Sequence, residues 1–121
     1  MSLHLELAAL IEEEFSGLLD GPLERRQDAL RLCLDNGVHL TIQYADPLAY
    51  SLRWEFEGRQ AGIDTAPLHE GLATFPHHYH DVDGEVHADP ITSPERSPAD
   101  NLRRLLAALA ANPLLDQERP V

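Results

Sequence analysis

Five of the chain's seven histidines, His69, His77, His78, His80 and His87, crowd between positions 69 and 87, with Asp64, Asp81 and Asp83 close in sequence. The densest part is Phe75-Pro76-His77-His78-Tyr79-His80. Imidazole titrates near neutral pH, so grouped histidines can give and take protons at a phosphate or carbonyl centre. A carboxylate such as Asp64 can fix a tautomer and stabilise an imidazolium. Arg53 or Arg59, from neighbouring strand positions, can hold a phosphate or balance developing negative charge. That set needs no cofactor and suits cleavage of RNA through its own 2′-hydroxyl, with His77, His78, His80, Asp64 and His69 as candidate catalytic groups. A metal site is the second reading. His78 and His80 can chelate one ion from an extended segment, with Asp64 or His69 completing a shell for zinc or another divalent metal. The third reading is structural, with the histidines capping backbone groups or packing at a sheet edge.

The elements that must position these residues follow from periodicity. Leu3, Leu7, Leu10, Ile11, Phe15 and Leu18 form one stripe at helical spacing, which predicts a helix over residues 3–19 behind a Ser2 cap. Asp20-Gly21-Pro22 stops it. Residues 28–44 read as a β-hairpin around Asn36-Gly37. A three-residue loop, Asp35-Asn36-Gly37, pairs Leu34 with Val38, Leu32 with Leu40 and Leu30 with Ile42. All the apolar residues then share one face, whereas a two-residue loop mixes the faces. On that register Cys33 and His39 point away from the core. Tyr50, Leu52, Trp54 and Phe56 alternate with polar residues in a strand over 49–57, and a fourth strand spans 60–64.

Residues 65–96 lose periodicity and read as a histidine-rich loop near the sheet edge or its open face, with Glu85 to Ile91 a candidate edge strand. Ser97-Pro98-Ala99-Asp100 opens a helix over 98–111, with Leu102, Leu105, Leu106 and Leu109 on one side. The expected fold is α+β. A single domain over 1–121 holds an antiparallel meander of four to five strands packed against an N-terminal and a C-terminal helix.

Composition bounds the function. With 43% apolar residues the 121-residue chain can bury a core. It has no apolar run of membrane-spanning length. Its single cysteine cannot form an internal disulfide, and its first residues lack the pattern of a signal peptide. A cytoplasmic protein is expected. The formal net charge is −12 and every basic residue is an arginine. Such a charge repels nucleic acid at long range, so an RNA site must be locally basic. No phosphate-binding glycine loop, dinucleotide fingerprint or nucleophile elbow is present.

Two short motifs carry a family resemblance. Ile63-Asp64-Thr65-Ala66-Pro67-Leu68-His69 and Thr74-Phe75-Pro76-His77-His78-Tyr79-His80 resemble the TumE-type toxins of toxin–antitoxin pairs. In that family an arginine-containing strand ends in Asp-Asn-Ala-Pro-His-His, and Phe-Pro-His-His-Lys-His follows. Asp64, Ala66, Pro67, His69, His77, His78 and His80 match. Thr65, Leu68 and Tyr79 depart, and Ala61-Gly62-Ile63 lacks the family's arginine. The resemblance implies a growth-inhibiting toxin neutralised by a cognate antitoxin, often a helix-turn-helix protein. RNA as its target is the expectation from the histidines. The alternative is a non-catalytic domain that binds protein through its acidic surface. A homodimer through an open edge strand is also compatible with the pattern.

Overall fold

The structure is a computed structural model and describes residues 3–26, 28–67, 71 and 75–115. It is an α+β fold with a seven-stranded, wholly antiparallel open sheet and two helices. The elements are α1 (Leu3–Glu14), a 3-10 turn (Ser16–Leu18), β1 (Glu24–Arg26), β2 (Ala29–Cys33), β3 (His39–Asp46), β4 (Ala49–Phe56), β5 (Arg59–Asp64), β6 (His78–His80), β7 (Val86–Ala88) and α2 (Pro98–Ala111). Strand order in the sheet equals chain order.

The apolar alternation builds the core. Leu30, Ile42, Leu52, Ile63 and Tyr79 stand in register across β2 to β6, and Leu32, Leu40, Trp54 and Ala61 form the adjacent row. All are buried in one cluster with Leu7, Leu10 and Ile11 of α1 and Leu102, Leu105, Leu106 and Leu109 of α2. Each fully buried leucine contributes about 1.5–3 kcal/mol relative to exposure. The helices therefore cover one face of the sheet. Outside, Arg103 clamps them together, giving Nε and Nη2 to the two carboxylate oxygens of Glu14, each at 2.9 Å.

The hairpin takes the register expected from the three-residue loop. Leu32 faces Leu40, Leu34 N–H donates to Val38 at 2.8 Å, and Gly37 sits at φ 97° in the left-handed position of the bulged turn. Asn36 ties the turn to α2 by donating to the Leu109 carbonyl at 3.0 Å. Ser97 caps α2 by accepting from Asp100 N–H at 3.1 Å. Its own cap candidate at α1, Ser2, lies outside the described residues.

Three expectations need correction. The sheet has seven strands, not four to five. The expected edge strand exists as β7, but β1 and β6 were not anticipated: neither offers enough residues for an alternation to be read, and β1 is exposed throughout. Residues 65–96 are accordingly not all loop. The first helix ends at Glu14 rather than near 19. Ser16 and Gly17 are weak helix formers, and the backbone beyond them bonds to the hairpin instead. Asp35 N–H donates to Leu18 at 2.7 Å and Asp20 N–H to Cys33 at 2.8 Å.

Candidate functional site

Strand alternation divides the histidine segment between the two faces of the sheet. Tyr79 points to the helices, where its hydroxyl donates to the Leu114 carbonyl at 3.1 Å. His77 has the same parity and is buried with it. His78 and His80 take the other, helix-free face, opposite Asp64 and Gly62 of β5 respectively.

On the open face Asp64 stands between the two rings. Its Oδ1 lies 2.8 Å from His78 Nε2 and its Oδ2 3.4 Å from His80 Nε2. The rings meet edge to face with centroids 4.7 Å apart. His78 is closed off, its side chain 1% exposed, whereas His80 is 40% and Asp64 30% exposed. The backbone N–H of Ala66 donates to Asp64 at 3.0 Å, which fixes the carboxylate where β5 ends.

His78 Nδ1 lies 3.1 Å from the Pro76 carbonyl oxygen, which can only accept. The 2.8 Å between His78 Nε2 and Asp64 Oδ1 is the length of an N–H···O bond. Two ligand atoms of a tetrahedral zinc, each about 2.0–2.1 Å from the metal, would sit roughly 3.3 Å apart.

A cross-strand row extends from His80 over the open face. Gly62 lies beside it on β5, then Arg53 on β4, Thr41 on β3 and Arg31 on β2. These residues line a shallow groove of about 420 Å³ that also reaches His39, Glu55 and Asp64. Gly62 is required there. A Cβ at that position would approach the Leu52 carbonyl oxygen to 3.0 Å and Arg53 Cγ to 3.3 Å. The missing side chain leaves a notch between Arg53 and His80. Arg53 donates to Gln43 at 3.3 Å. Arg31 makes no ion pair among the described residues. Cys33 and His39, one row away, pair Sγ to Nδ1 at 3.1 Å.

His77 belongs to a different assembly. Its Nδ1 lies 2.9 Å from the Tyr50 hydroxyl. That hydroxyl donates to Thr92 Oγ1 at 2.7 Å, and Thr92 in turn donates to Asp89. Burial pushes the Tyr50 phenol up to about 12, against the lowering effect of Thr92. Thr92 Oγ1 also lies 3.2 Å from His77 Nδ1, so the four side chains form one hydrogen-bonded cluster inside the core.

The sequence-derived set thus comes apart. Asp64, His78, His80 and Arg53 share the open face. His77 does not join them, because adjacent strand residues face opposite ways. Arg59 sits at the far end of β5 next to the β4–β5 turn, with the parity of the helix side, and does not line the groove. His69 lies outside the described residues. Arg31, Thr41 and Gly62 were not singled out, although the hairpin register already placed Arg31 and Thr41 opposite the core face.

A second histidine–carboxylate pair closes the β6–β7 turn, where Asp81 Oδ2 lies 2.7 Å from His87 Nε2. The bond to His87 holds the Asp81 carboxyl below the usual aspartate value. His87 stands opposite Tyr79 in the register, so this pair has the parity of the helix side and not of the groove.

The molecule is thus an α+β protein with a histidine–aspartate site on the bare face of an antiparallel sheet. The sequence model of the family described as Toxin TumE matches residues 8–112, and the chain belongs to that family. Membership implies the toxin of a toxin–antitoxin system, with an antitoxin as partner. No curated protein and no solved structure matches the chain. No helix among the described residues is long and apolar enough to cross a membrane.

Proposed function

We propose that the chain acts as a toxin by cutting RNA, with His80 as the proton-transfer group and no metal. The observation that carries this reading is the exposed His80 imidazole, held at Asp64 and separated from the Arg53 side chain only by the notch at Gly62. In the reaction, His80 Nδ1 takes the proton of a ribose 2′-hydroxyl, while Nε2 faces Asp64. The 2′-oxygen bonds to the adjacent phosphorus and the bond from phosphorus to the 5′-oxygen breaks. The imidazolium returns its proton to that departing oxygen, leaving a 2′,3′-cyclic phosphate and a 5′-hydroxyl. Arg53 balances charge on the phosphate oxygens. Asp64 orients His80, and the buried His78 is a positioning residue that fixes Asp64 at 2.8 Å.

The test is induced expression of the wild type, His80→Ala and Asp64→Asn, with growth followed and total RNA run on a gel. Wild-type arrest with RNA fragmentation, lost in both variants, is expected. Abundant soluble wild type in cells that grow without arrest and keep intact RNA would sink the proposal.

A second reading rests on the convergence of Asp64, His78 and His80, whose ligand atoms all lie within 4.8 Å of one another. The His78 Nδ1–Pro76 bond is the kind of outer contact that orients a metal-bound imidazole. The 2.8 Å spacing would have to widen by about half an ångström for zinc. Elemental analysis of protein purified without a histidine tag decides it. One bound metal per chain, lost in Asp64→Asn, favours this reading over the first.

A further inference from the structure

We propose that Arg31 is a second phosphate-binding residue, so that a single RNA strand runs across the β-strands from His80 over Gly62 and Arg53 to Arg31. This deepens the cleavage reading and rests on it for the identity of the cut end. It names the substrate as single-stranded RNA longer than a dinucleotide.

Register carries the placement. Arg31 pairs with Thr41, Thr41 with Arg53, Arg53 with Gly62 and Gly62 with His80, each directly opposite the next. Side chains directly opposite each other in a sheet share a face, so the row lies wholly on the open side. Neighbouring strands are about 4.8 Å apart, so Arg31 lies about 19 Å from His80, with Arg53 midway. One internucleotide step does not span that distance, and a short extended strand does. The intervening positions are low, a threonine and a glycine, so the arginines stand up from a shallow floor.

Charge restricts the path further. In a chain of net charge −12 the row from β2 to β6 holds two arginines, one histidine and no carboxylate. Beyond Arg31, Glu24 of β1 stands directly opposite it, with its carboxylate 3.4 Å from Arg26. Carboxylates also stand one row to either side, Glu55 and Asp64. Phosphates are drawn to the arginines of the middle row and repelled from its flanks, so the strand crosses the sheet between Glu55 and Asp64 and ends at Arg31. Arg31 has no carboxylate partner among the described residues and is exposed, so its guanidinium is available for a forked phosphate contact.

The experiment compares binding and cleavage of a dinucleotide and of a single-stranded RNA of about ten nucleotides. It uses the wild type, Arg31→Ala, Arg31→Lys and Arg104→Ala. Arg104 is an exposed arginine of α2, in the helix layer, and controls for loss of charge alone. Arg31→Ala should weaken binding of the longer strand about tenfold, reduce the slope of log affinity against log salt by about 0.7, and lower kcat/KM more on the longer strand than on the dinucleotide. Arg31→Lys should restore most of the affinity, and Arg104→Ala should leave it within twofold. An Arg31→Ala protein that binds the longer strand like the wild type, or no more weakly than Arg104→Ala does, overturns the track. If the wild type cleaves neither RNA, the cleavage reading fails, and the binding series still decides whether Arg31 holds a phosphate. Equal affinity for DNA of the same length would mean that the row reads backbone charge without the 2′-hydroxyl.

Discussion

The segment from His77 through β6 carries the same residue type on both faces of the sheet and gives it opposite surroundings. On the helix side, His77 is sealed into a buried cluster with the Tyr50 and Thr92 hydroxyls and Asp89. On the bare side, His80 keeps 40% of its side chain in solvent and contacts a carboxylate that is itself 30% exposed. The first arrangement is closed to solvent, with His77 1% and Asp89 7% exposed. The second is held from behind, through Asp64 and the covered His78, and is open in front. Burial of a histidine in a matched network stabilises a fold; partial exposure beside an arginine and a notch equips a surface to react.

This contrast can be broken by substitution. Replacing His80 with Ala should lower the rate of RNA cleavage by about 10²–10⁴-fold, the usual range for a proton-transfer group. The urea midpoint should shift little, since the side chain is already half in solvent. Replacing His77 with Ala should do the reverse. Loss of the ring takes one partner from the Tyr50 hydroxyl, which keeps Thr92, and empties a buried site; the cost should be about 1–3 kcal/mol, read from urea unfolding, while activity per folded molecule persists. Equal losses of stability in the two variants would erase the distinction between the faces.

The arginines sharpen it at a smaller scale. Arg53→Ala should lower kcat/KM for RNA about tenfold, whereas Arg59→Ala, at the far end of β5, should leave it within twofold and change stability by no more than about 0.5 kcal/mol. The smallest effect belongs to the pair at the β6–β7 turn. Because the bond to His87 depresses the Asp81 carboxyl below its ordinary 3.8, the pair contributes stability that is fully present above that value. The contribution is lost as pH falls through the lower value in the folded protein. Asp81→Asn should flatten the dependence of stability on pH between about 5 and 2 and leave it unchanged near neutrality, measured by thermal unfolding across that range.

Much of this frame can be read from the residues alone. The placement of leucines in the first hairpin discriminates between two loop lengths, because a one-residue slip would turn Leu30, Leu32 and Leu34 outward. Ser97 and Pro98 announce α2 through cap chemistry that needs no tertiary context. What is not legible has local causes. β1 reads Glu-Arg-Arg and owes its existence to backbone pairing with β2 rather than to any apolar pattern. β6 is buried on two successive residues, His78 and Tyr79, so its alternation is hidden. The separation of His77 from His78 could not be seen until a strand was known to begin there. Asp64, by contrast, was placed from its position at the end of a clear strand, where it stands directly opposite His78.

The sequential order of the sheet has a consequence for how the protein comes into being. Every strand docks on the one made just before it, so apart from the connection over residues 65–77 between β5 and β6 the sheet closes only short loops, and sheets of this kind fold faster than those with distant pairings. During synthesis, β2 to β5 can zip in the order they emerge. Yet their apolar face stays uncovered until α2 arrives, and His80 joins Asp64 only after β6 has been added. Arg31 and Arg53 are therefore in place before the group that would cut. A ribosome making this chain completes the histidine–aspartate face late, at nearly the same moment as its core.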